Sequence, residues 1–111
     1  MLPSERRRYE RVPFSTELTV IDARDRRRYK GWSIDLSLGG MSFFAERFLQ
    51  AGSRIAILAR LPGSRDGPAT PVEATVQWSR VETDGAVMGA EFAQALSNAF
   101  QPQLYEALCS V

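Results

Sequence analysis

Residues 33–43 read SIDLSLGGMSF, and the way this run folds decides the architecture. Ile34 and Leu36 alternate with Ser33, Asp35 and Ser37, and a period of two is the mark of a half-buried strand. The alternation extends back to Arg28. It predicts a strand over Arg28–Leu36 with Trp32, Ile34 and Leu36 on an apolar face and Ser33, Asp35 and Ser37 on the opposite, polar one. Gly39-Gly40 then predicts a tight turn, since glycine admits positive φ. Met41–Phe44 resumes as a strand, so the unit is strand, turn, returning strand.

The same period recurs on both sides. Upstream, Phe14, Thr16, Leu18 and Val20 alternate with Ser15, Glu17 and Thr19, after an extended start at Pro13. The charged run Asp22–Arg28 reads as a solvated hairpin connection. Downstream, Gly52 precedes a strand over Arg54–Leu61, and PGSRDGPATP (62–71) is a turn-rich loop. Val72, Ala74, Val76 and Trp78 then alternate with Glu73, Thr75, Gln77 and Ser79, which assigns Trp78 to the core. Thr83-Asp84-Gly85 turns the chain back into Ala86–Phe92. The spacing changes to four at Leu96, Phe100, Leu104 and Leu108, predicting a short turn and a helix that starts at Pro102. About six short antiparallel strands and one C-terminal α-helix make an all-β domain, a small barrel or sandwich with the helix over an open end or edge.

A chain of 111 residues is one domain, here a basic N-terminal arm (1–12) and a folded body (13–111). Residues 1–30 hold nine Lys/Arg against five Asp/Glu, while residues 31–111 hold five against eight, a balance that fits either an anion-facing end or a solvated basic arm. No run approaches the roughly 18 apolar residues of a membrane span, and the basic N-terminus lacks the apolar core of a secretory signal. One cysteine, Cys109, forms no intrachain disulfide, suits a reducing compartment such as the cytoplasm, and is assigned to the interior. There is no histidine, which removes the commonest general base and the commonest metal ligand. With no metal-ligand cluster, phosphate-binding glycine loop or nucleophile beside a base, the sequence points away from an enzyme.

Two constellations are not required by a core. Arg7 and Arg11 stand four apart before the first strand, with Arg6 and Arg8 beside them. Guanidinium is planar and permanently charged, and it forks onto phosphate or guanine edges or stacks on a base. Asp35-x-Ser37-x-x-Gly40 closes the second strand. A carboxylate there accepts from the N1–H and N2–H edge of guanine or orients an arginine, a serine donates to phosphate, and glycine amides approach an anion closely. The plain alternative for this second group is an Asx or serine turn with a glycine hairpin.

In order, spacing and context the two groups together resemble the PilZ domain family. Val76-Gln77-Trp78 and Gly89-Ala90-Glu91-Phe92 match its late strands, so that the resemblance covers about residues 5–108. The resemblance implies a six-stranded antiparallel β-barrel, usually with a C-terminal helix, and in many members a receptor for the bacterial second messenger cyclic di-GMP. It implies that Arg7 and Arg11 grip guanine edges and phosphates from a flexible arm, that Asp35 and Ser37 bind guanine from the barrel, and that Gly40 shapes the turn. Arginine at position 6 goes, in the family, with two stacked ligand molecules per chain. The partner that reads the bound state would be a separate effector protein. Two rivals are a nucleotide-independent adaptor of the same fold and a small barrel binding single-stranded nucleic acid. The second is disfavoured because basic charge is confined to the N-terminal third.

Overall fold

The computed structural model describes residues 10–60 and 71–109. The expected arm as far as Tyr9, with Arg6 and Arg7, lies outside the described residues, as do Leu61 and 62–70 of the expected loop. The strands are β1 (Val12–Pro13), β2 (Glu17–Asp22), β3 (Arg28–Leu36), β4 (Gly40–Ala45), β5 (Arg54–Ala59), β6 (Val72–Glu82) and β7 (Gly85–Phe92), followed by the helix α1 (Pro102–Cys109).

Period-two burial sets the pairing. Along β2, Leu18, Val20 and Asp22 are buried while the residues between them are half-buried. β2 lies between β3 and β5, β5 pairs with β6, β6 with β7 and β7 with β4, and β4 returns to β3, all antiparallel. Six strands therefore close into the expected barrel. The two-residue β1 is an addition that continues the edge of β2 along β3, Val12 opposite Leu36 and Pro13 opposite Asp35. The interior is filled by Leu18, Val20, Leu36, Met41, Phe43, Ile57, Val72, Val76 and Met88. Burying a side chain of this size contributes about 1.5–3 kcal/mol. α1 begins at Pro102 as its sequence predicts, and buries Leu104, with Leu96 ahead of it also buried and Tyr105 and Leu108 packed against the core.

Three expectations are corrected. Trp32 and Ile34 do not share the inner face with Leu36: they are exposed, and Ser33 and Ser37 point inward instead. Trp78 leaves the core face of Val72, Ala74 and Val76 and is 41% exposed. Both departures have one cause. The β3–β4 register shifts between Ser33 and Asp35, and the β6–β7 register shifts between Val76 and Trp78. One extra residue in a strand reverses the face of everything beyond it, so Asp35 and Trp78 both emerge on the outside. The third correction is Cys109, which is exposed. It follows Leu108 on α1, and successive helical residues point about 100° apart.

Phe43 is fully buried between β3 and β7. Phe43→Ala should lower unfolding free energy by about 3–5 kcal/mol in urea denaturation. A loss below about 1 kcal/mol would contradict a core centred on this ring.

Candidate functional site

The two register shifts bring four outward positions into one row across four strands: Asp35 on β3 faces Ser42 on β4, Ser42 faces Gly89 on β7, and Gly89 faces Trp78 on β6. A parallel outward row one step along the strands holds Trp32, Phe44, Val87 and Arg80. The Trp32 and Phe44 rings lie 6.2 Å apart, and Lys30 Nζ lies 5.4 Å from the Trp32 ring centre. The face thus sets Asp35 and Ser42 beside aromatic rings, Trp78 at the far end of their row and Trp32 and Phe44 on the next.

Arg11 closes the first row. Its Nη1 donates to Asp35 Oδ1 at 3.0 Å and to Ser42 Oγ at 2.9 Å, and the Ser42 N–H donates to the same Asp35 oxygen at 3.2 Å. Arg11 comes from the residue just before β1, and the pairing of Pro13 with Asp35 is what delivers it there. Both charged side chains keep access to water, 42% for Arg11 and 27% for Asp35. A pair of that exposure contributes about 0–1 kcal/mol to stability. Its consequence is orientation: the carboxylate and the guanidinium each hold the other in a defined pose on the outer surface.

Ser37 and Gly40 do a different job at the end of β3. Ser37 Oγ accepts from the Gly39 and Gly40 amides at 3.3 and 3.1 Å and donates to the Gly40 carbonyl at 3.3 Å, while the Ser37 amide donates to that same carbonyl at 2.9 Å. The serine is buried. The turn is thus the serine turn that was the plain alternative. The glycines do not serve through positive φ, which among described glycines occurs at Gly52 alone. Gly40 is needed because a Cβ there would stand 2.3 Å from the Ala90 carbonyl oxygen.

Of the residues singled out in the sequence, Arg11 and Asp35 meet directly, and Ser37 and Gly40 build the turn beside them. Two participants were not anticipated. Ser42 was legible from its place, since alternation from Met41 and Phe43 puts it outside and opposite Asp35. Gly89 was not. A Cβ there would lie 2.1 Å from the Trp78 indole nitrogen, so the missing side chain is what lets the indole pack against β7 at this position. Among the described residues no three His, Cys, Asp or Glu gather as a metal site, and no helix is long and apolar enough to cross a membrane.

Residues 5–108 match the family described as PilZ domain. The PilZ domain of YcgR from Escherichia coli, solved with c-di-GMP, superposes with a TM-score of 0.70 at 22% identity, over 95% of this chain and 90% of that one. The PilZ domain of CeSA from a cellulose-synthesizing bacterium gives 0.62 at 15% identity, over 91% and 96%. MotI/DgrA, the inhibitor of motility of Bacillus subtilis, gives 0.64 at 18% identity, over 92% of this chain but 49% of its own, so this chain spans about half its length. At these identities the structures speak for the fold. No curated protein matches the sequence.

Gly89→Ala should lift the Trp78 ring. In a Trp32→Phe background, where Trp78 is the remaining tryptophan, its emission should shift to longer wavelength and acrylamide should quench it more strongly. Stability should fall by about 1–3 kcal/mol, the range of local overpacking. Unchanged emission and quenching would show that the indole does not rest on Gly89.

Proposed function

Because the chain belongs to the PilZ domain family, a family of cyclic di-GMP receptor domains, we propose that its outer face around Asp35 binds cyclic di-GMP and that the bound state is read by a separate effector protein. The observation that supports this most is the Arg11–Asp35 contact, which joins residues 24 apart and unites the two halves of the motif on one surface. It is a binding function, with no catalytic step.

The chemistry matches the ligand. Cyclic di-GMP carries two phosphates and two guanines. The hydrogen bonds that Asp35 accepts from described residues both fall on Oδ1, so Oδ2 can take a guanine amino or imino hydrogen. Arg11 turns from Asp35 to a phosphate or to guanine O6 and N7, exchanging one charge-assisted bond for another. Trp78, at the far end of the same row, offers a ring for a base to lie against. Ser37 and Gly40 shape the rim, and Ser37 reaches the ligand if its turn opens. Arg7 closes over the nucleotide from the arm, and Arg6 admits a second, stacked molecule. Ordering an arm on binding consumes about 2–5 kcal/mol of the gross interaction energy and changes the surface a partner meets. On this reading the protein acts in the cytoplasm, where the messenger is found.

Calorimetric titration with cyclic di-GMP should show saturable binding with two molecules per chain. Arg11→Ala and Arg7→Ala should each weaken it about ten- to hundredfold or more, the effect of losing a charge-assisted hydrogen bond. Arg6→Leu should reduce the stoichiometry towards one. Absence of heat with the parent chain overturns the reading, and one ligand per parent chain overturns the assignment of Arg6.

A further inference from the structure

Ser33 plays no part in the motif, yet it lies at the point where the arm joins the barrel. Two registers meet on β3. β2 pairs with it as Glu17 to Trp32, and β1 pairs with it as Pro13 to Asp35. Between these pairs three residues, Phe14–Thr16, face two, Ser33 and Ile34. A step of this kind leaves backbone groups without ladder partners. The Phe14 amide reaches the Ile34 carbonyl at 3.1 Å and the Ser33 amide reaches the Thr16 carbonyl at 2.9 Å. Ser15 is exposed and its backbone can meet water, which leaves the Phe14 carbonyl and the Thr16 amide on the side of Ser33. Ser33 Oγ takes both: it donates to Phe14 O at 2.6 Å and accepts from Thr16 N at 2.8 Å. The side chain is 4% exposed, so water does not substitute for it. The Thr16 hydroxyl in turn donates to the Arg60 carbonyl, tying the same segment to the end of β5.

We propose that Ser33 is a positioning residue for the binding site: its hydroxyl holds the register step that seats Arg11 on Asp35 and Ser42. Arg11 is two residues before Pro13, and Pro13 opposite Asp35 sets both residues on the outer face. A slip of one residue in β1 would exchange its faces, turning Val12 out and carrying Arg11 away from the carboxylate. The hydroxyl is the group that makes the step cheaper than the slip, since a buried unpaired amide or carbonyl is costly. Serine suits the place because it donates and accepts at once within the volume of one oxygen.

The placement of Arg11 is a property of the chain itself, and only the affinity consequence rests on the cyclic di-GMP reading. Ser33→Val and Ser33→Thr have equal volume and differ in the hydroxyl. In the parent and in Ser33→Thr, NMR of the arginine side chains should show the Arg11 guanidinium rotating slowly compared with that of the exposed Arg26. In Ser33→Val the two should become alike, and the Phe14 and Thr16 amides should exchange faster with solvent. Cyclic di-GMP affinity should fall about tenfold in Ser33→Val, the scale of one misplaced charge-assisted bond, and hold in Ser33→Thr. A folded Ser33→Val chain with Arg11 still restrained, or with unchanged affinity, overturns the proposal. So does a Ser33→Val chain that loses its strand signal in circular dichroism while Ser33→Thr keeps it, because the hydroxyl would then hold the barrel and not the arm. If the parent binds no cyclic di-GMP, the functional reading fails, and the guanidinium and exchange measurements still decide the role of Ser33.

Discussion

In a closed ring of paired strands, each residue faces either the core or the solvent, and its neighbour faces the other way. That alternation governs this molecule. Leu18, Val20, Phe43, Val76 and Met88 converge inside because their strands keep it. The outer face acquires its chemistry where the alternation is broken. One extra residue at Ile34 leaves Ser33 and Leu36 both inside and turns Asp35 out. One extra residue at Gln77 turns Trp78 out. Without these two irregularities the acid of the motif and its neighbouring indole would not share an outer row.

Close approach is the second constraint. Gly40 and Gly89 both lie where a Cβ would overlap other atoms, the first with a backbone carbonyl and the second with an indole ring. Both meet at β7, to which Gly89 belongs and against which Gly40 pairs opposite Glu91. Small residues in that stretch let the turn after Ser37 and the Trp78 ring both press against the sheet. The row that results carries Arg11 and Asp35 at one end and the Trp78 indole at the other.

Charge completes the picture with modest energies. Arg11 and Asp35 remain partly in water, so their pairing adds little to stability and a good deal to geometry. Glu17 similarly lies between Lys30 at 3.4 Å and Arg60 at 3.3 Å on the outer side of β2. The barrel is held by its apolar interior and its ladders. The ionic groups are arranged on it, free to exchange partners without unfolding it.

The resemblance to the PilZ family joined Arg11 and Asp35 in one motif, while the six strands of the barrel, the turn at Gly39-Gly40 and the helix from Pro102 were legible in the order of residues. Local periodicity and spacing carry that information, because a strand repeats every two residues and a helix about every four. The faces of Trp32, Ile34 and Trp78 were not legible. A bulge is defined against a partner strand, and the partners of Ile34 and Gln77 lie elsewhere in the chain. Nor was the role of Ser33 legible: a serine in an alternating strand reads as a solvent-facing residue until the unpaired backbone of Phe14 and Thr16 is brought beside it. Sequence alone determined where the barrel strands and the helix form and which residues make up the motif. Tertiary pairing decided which side of the sheet they face, since register belongs to two strands at once.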